Sequence, residues 1–176
     1  MSQPSPTRIP PVDLEHLSPA QKAVAERIAG TRGRVPGPFT ALLHVPELAD
    51  LVQNLGAHLR YRGALDRDVA EVAILVAAWH RRSAYAWNAH EPIARRADAP
   101  DAVIECVRSG GAFDSMPPRY RVVCEYAREL LSSGRVSDPV YERAAAALGV
   151  PGTIELTVLV GYYSLVTMTL NALGWE

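Results

Sequence analysis

Apolar residues along this chain recur at three- and four-residue intervals, and hairpin signals are missing. Between Pro46 and Gly63, the residues Leu48, Leu51, Val52, Leu55 and Leu59 fall on one helical face. The next stretch, "LDRDVAEVAILVAAWHRR", starts at an expected cap, Asp66. From Val69 to Ala78 it leaves almost no polar face, so its helix is expected to be central. Ser83 can cap a helix running to about Ala97, and Pro100 opens another that Gly110 and Gly111 stop. Ser18 as N-cap, Pro19 at the first turn and Gly30 as stop frame an earlier helix. "GRVPGPF" reads as a punctuated loop. A helix beginning at the Pro117–Pro118 pair ends at Gly134, and "DPVYERAAAALG" and "PGTIELTVLVGYYSLVTMTLNALG" follow the same grammar. The pattern therefore predicts an all-α fold of about eight helices joined by short turns.

Composition narrows this picture. The chain has 176 residues, 48% hydrophobic and 21% charged, enough for one domain with a sizeable core. Residues 1–17 read as a proline-rich, poorly ordered arm without the apolar core of a signal peptide, and residues 18–176 as a single helical domain. A net charge of −1 gives no electrostatic reason to expect a nucleic acid partner. Cys106 and Cys124 have neither CxxC nor zinc spacing and read as buried free thiols, consistent with a cytoplasmic protein. Leu156 to Trp175 contains no acidic or basic residue and could span a bilayer by length. Its threonines, Ser164 and Asn171, and the lack of a flanking basic cluster, favour a buried helix instead, so no membrane partner is expected.

The chemistry concentrates around "RRSAYAWNAHEP", Arg81 to Pro92. Glu71 lies inside the most apolar helix, where a carboxylate needs a partner or a cavity. His90 lies two turns into the following helix. Two helices joined by a short turn run antiparallel, so the two side chains can face each other. A carboxylate on one imidazole nitrogen fixes the tautomer and makes the other nitrogen a better general base. Ser83, Ala86 and His90 share a face, flanked by Tyr85 and Trp87. Ser83 is most simply an N-cap, and no Ser-His-Asp order surrounds it. His80 ends its helix, where a cation suits the dipole, and is a candidate ligand contact. Arg60 could hold a carboxylate bidentately, or form a surface salt bridge. Tyr162, Tyr163 and Asn171 punctuate the last apolar helix and could bond to a pocket or across a subunit interface. His80, His90 and Glu71 lack a metal-site pattern, and no metal is expected.

Glu71, position 83, position 86 and His90, in that spacing, resemble the signature of the carboxymuconolactone decarboxylase and alkylhydroperoxidase D-like family. "GPFTALLHVPELADLVQNLGAHLRYRGAL", "AYAWNAHEPIARRA" and "ELTVLVGYYSLVTMTLNALG" extend the resemblance from about Arg34 to Gly174. It implies an alkylhydroperoxidase D-like helical bundle. The peroxidase branch would carry cysteine at both 83 and 86, where this chain has Ser83 and Ala86. Disulfide exchange needs a thiolate and a resolving thiol, so a peroxidase cycle at this motif is excluded. The decarboxylase branch keeps the glutamate and histidine and works without cysteine or metal.

The resemblance implies a lyase-like, cofactor-free enzyme in which Glu71 and His90 transfer protons. Tyr85, Trp87, Arg60, Ser83, His80 and Tyr162 are its candidate substrate contacts. The substrate would be a small carboxylate, lactone or carbonyl compound, and the reaction a decarboxylation, lactone opening, isomerisation or elimination. The alternative is a non-catalytic small-ligand-binding or assembly protein in which Glu71 and His90 form a structural pair. The family resemblance also implies a homotrimer or hexamer.

Overall fold

A computed structural model describes residues 7–174, and those residues hold eight helices and no strand. They are α1 (Pro19–Arg32), α2 (Gly37–Leu42), α3 (Pro46–Tyr61), α4 (Arg67–His80), α5 (Ala84–Arg96), α6 (Asp101–Ser109), α7 (Pro118–Ser133) and α8 (Asp138–Leu173). The expected all-α class is the observed one. The first six residues of the arm and Trp175 lie outside the described residues. The described residues form two compact units: those through Arg62 together with those from Ala172 on, and Gly63–Asn171.

In the first unit, α1 and α2 pack on α3. Ser18 caps α1 in a capping box: its Oγ accepts from the Gln21 amide, and the Gln21 side chain accepts from the Ser18 amide. The expected stop at Gly30 is corrected. The helix continues to Arg32 and ends at Gly33, which takes the left-handed φ of 76°. Arg32 gains from that extra turn, because its guanidinium reaches the side chain and carbonyl of the buried Gln53. The expected "GRVPGPF" loop is also partly corrected, since α2 begins at Gly37 with Pro38 in its first turn. The described part of the arm is tied down. The Val12 amide donates to the Thr40 carbonyl, His44 Nε2 donates to the Pro10 carbonyl at 2.9 Å, and the Arg8 amide donates to the Leu173 carbonyl.

In the second unit, α4 is the axis, packed against α5, α6 and α7. All ten residues from Val69 to Ala78 are buried, Glu71 among them. Asp66 stands at the expected cap position of α4, but its carboxylate does not cap. It accepts from Arg119 on α7 instead, and Arg119 also bonds Asp68. Tyr120 donates to Asp68 at 2.6 Å, so two consecutive residues of α7 grip the first turn of α4.

Residues Asp138–Leu173 are broken at Gly149, where φ is 68° and ψ 178°. By length and composition α8 is apolar enough to cross a membrane, but a third of its most apolar window is buried inside the protein. Tyr126 on α7 bonds Thr157 on α8 at 2.7 Å. The Glu155 carboxylate, also on α8, accepts the backbone amide of Ala64 and so clasps the segment that leads into α4.

Candidate functional site

The α4–α5 pair brings Glu71 and His90 together. His90 Nδ1 lies 2.7 Å from Glu71 Oε2, in the short range of charge-assisted bonds. The Glu71 side chain is 3% exposed and that of His90 11%, so whatever meets this pair meets it through the imidazole. With Nδ1 committed to the carboxylate, Nε2 is the nitrogen left to exchange a proton. Tyr163 of α8 stands edge-on to the imidazole, with ring centroids 4.9 Å apart and planes at 85°. Tyr162 is buried and in turn lies edge-on to Tyr163 at 5.3 Å. Pro92 interrupts the amide ladder one turn after Asn88, a solvent-exposed position, so the carbonyl it leaves without an amide can turn to water.

The turn from α4 to α5 is made without glycine. Arg82 takes a positive φ of 53°, which non-glycine residues adopt at a cost. Three bonds hold the turn. The Ser83 amide donates to the Ala78 carbonyl, Arg81 Nε donates to Ser164 Oγ at 2.8 Å, and Asn171 Nδ2 donates to the Arg81 carbonyl at 2.7 Å. Ser83 is the N-cap of α5, as expected, its hydroxyl accepting from the Ala86 amide at 3.4 Å.

A cavity of about 590 Å³ opens at this turn, lined by Ala78, Trp79, His80, Arg82, Ser83, Ala84 and Trp87. The size suits a small molecule. Three of the expected contact residues, His80, Ser83 and Trp87, share its wall. Burial and then the neighbouring Arg81 cation hold the His80 imidazole below its ordinary pKa, against a bond to the Leu131 backbone. The Trp87 indole donates to Glu91 at 2.9 Å, and the Arg108 guanidinium covers its ring at 5.0 Å. His90 is not part of this lining and lies one turn further along α5.

The remaining expected contacts are placed elsewhere. Tyr85 is half-buried, two residues from Ser83 and so on the opposite side of the helix, and it does not line the cavity. Arg60 belongs to the first unit, on α3, where its guanidinium lies 5.1 Å from the Tyr61 ring centroid. Sequence reasoning missed Trp79 and Arg82 as cavity walls. It named Tyr163 without its contact to His90. An aromatic in an apolar helix carries no sign of which helix it meets. Among the described residues, no three of His, Cys, Asp and Glu converge as a metal site.

The family model described as "Carboxymuconolactone decarboxylase family" matches residues 46–129, which contain Glu71, Ser83, Ala86 and His90. No curated protein matches the chain.

Proposed function

On the match of residues 46–129 to the carboxymuconolactone decarboxylase family model, we propose that this protein is a cofactor-free acid/base enzyme of that family. One observation carries the reading: a histidine bonded at 2.7 Å to a carboxylate inside an otherwise apolar helix, leaving one imidazole nitrogen for the substrate. Glu71 holds Nδ1–H and stabilises the imidazolium as it forms. His90 Nε2 takes a proton from the substrate and returns it to the product. Decarboxylation, lactone opening, isomerisation and elimination all run on such a cycle. The substrate class is a small carboxylate, lactone or carbonyl compound that enters by the cavity at the α4–α5 turn and reaches past Trp87. Arg82 and His80 on the cavity wall suit its carboxylate or carbonyl. Thiol peroxidase chemistry does not belong to this reading, since Ser83 and Ala86 stand where a redox pair would need thiols.

The test uses candidate lactones and keto acids as substrates. His90→Ala and Glu71→Gln are each expected to lose on the order of 10²-fold or more in turnover. Ser83→Ala, whose hydroxyl serves the helix end, keeps most of it. Full activity in a folded His90→Ala protein overturns the mechanism.

A second reading has its own support. The cavity lining stops short of His90, as it would in a protein that binds a small molecule without converting it. Saturable binding of a candidate acid with no turnover, together with early melting of the His90 and Glu71 variants, would establish that reading. We place the protein in the cytoplasm, in keeping with its free Cys106 and Cys124, as a self-associating protein with no nucleic acid or membrane partner.

A further inference from the structure

We propose that the outward face of α8 is a two-fold interface with a second copy of this chain, centred on Gly161. This proposal stands independently of the catalytic reading. Within the second unit, α8 has two apolar faces. Leu156, Leu159, Val160, Tyr163, Thr167 and Leu170 are buried. On the other side, Ile154 is 58% exposed, Val158 39%, Leu165 49% and Met168 55%. A helix that is apolar all round is one that is buried all round. A contiguous apolar stripe on a protein surface marks a place where something docks.

The order of these side chains says what docks. Relative to Gly161, the exposed large apolar residues stand at −7, −3, +4 and +7. At 100° per residue, all four and Gly161 lie within one narrow stripe, about 21 Å long. Turned end for end about Gly161, the stripe superposes on itself to within one residue. An antiparallel copy would set Ile154 against Met168 and Gly161 against its own counterpart, with Val158 beside Leu165 but staggered by one residue. A two-fold contact brings each patch onto its own image. Any charge near the axis would therefore face a like charge, and such a contact tolerates only a face without charge. No acidic or basic residue occurs from Leu156 to Gly174. At the centre, a Cβ added to Gly161 would meet nothing within 4 Å, so the two backbones are free to approach closely. The contact requires an even number of copies, a dimer or a hexamer, rather than a lone trimer.

A cysteine on a two-fold axis can bond only to its own copy, and that supplies the test. Gly161→Cys is oxidised beside the unaltered protein, which keeps Cys106 and Cys124, and beside Tyr141→Cys, an exposed position of α8 outside the stripe. A disulfide-linked dimer is expected from Gly161→Cys alone. A folded Gly161→Cys protein that stays uncrosslinked, or that crosslinks no better than Tyr141→Cys, overturns the proposal. Sedimentation of Leu165→Glu gives a second readout. Self-association is expected to weaken at least tenfold with the helical circular dichroism intact. An unchanged mass overturns the interface. So does a protein monomeric in solution that sediments with phosphatidylcholine vesicles and loses the vesicles through Leu165→Glu, because the face would then belong to a membrane.

Discussion

A Cβ on Gly110 would stand 2.4 Å from Cζ2 of Trp79. The indole lies across the end of α6 and donates to the Arg108 carbonyl at 3.0 Å, while Gly110 caps that helix at a φ of 65°. The tryptophan that walls the cavity is therefore seated on a glycine. Gly110→Ala is expected to cost about 2 kcal/mol or more, from the left-handed backbone and from overpacking together. It should also shift the tryptophan emission. Gly134→Ala is the matched comparison: it has a φ of 72° with open space around it. It should cost about 1 kcal/mol and leave the emission unchanged. Equal effects in denaturant melts and fluorescence would contradict the seat.

The Glu71–His90 bond also makes a stability prediction that needs no substrate. Removing one partner leaves a buried polar group stranded, so His90→Leu and Glu71→Leu are each expected to cost about 3–5 kcal/mol. The double variant Glu71→Leu/His90→Leu should cost less than the sum, with a coupling of about 1–3 kcal/mol. Denaturant midpoints of the four proteins read the cycle. Additive losses would show that the pair is not coupled.

Tyr120 sets an alkaline limit. Burial, and then its bond to Asp68, push its phenol up to about 12 from 10. The fold favours the protonated phenol, so its contribution is whole below pH 10 and drains away between about pH 10 and 12. Burial likewise pushes the Cys124 thiol up to about 12 from 9, adding a loss that begins near pH 9. Tyr120→Phe should be about 1 kcal/mol less stable at pH 8. It should also show a shallower fall in stability above pH 10. An unaltered slope would count against the Tyr120–Asp68 bond.

The two thiols should differ in reactivity. Cys124 is fully buried on α7, and its raised pKa leaves almost no thiolate at pH 8. Cys106 is only partly buried and donates to the Ala112 carbonyl at 3.3 Å. A thiol reagent at pH 8 should therefore modify Cys106 in the native protein and reach Cys124 only at the rate of unfolding. Mass mapping of the modified peptides checks this. Fast labelling of Cys124 would mean that α7 opens locally.

The helices were legible because their apolar spacing and end residues are local. Ser18 with Gln21, Ser83 and Gly134 each act within one turn, and each sits at its expected helix end. Glu71 facing His90 was legible too, because a short turn forces α4 and α5 antiparallel. What failed depends on distant partners. Asp66 has the chemistry of a cap, but Arg119, fifty-three residues on, takes its carboxylate. Gly30 looks like a stop, yet α1 runs one turn on to Gly33, where Arg32 can reach Gln53. The turn at Arg82 carries no glycine to announce its positive φ.

The bond from Glu155 to the Ala64 amide shifts a constraint from one position to another. Because the carboxylate grips backbone, the side chain at 64 is irrelevant to the contact, and every residue except proline supplies the hydrogen. The demand falls on position 155, ninety-one residues away, where shortening or neutralising the acid releases the entrance to α4. In a family of such sequences, position 64 should drift freely while shunning proline, and position 155 should hold its acid.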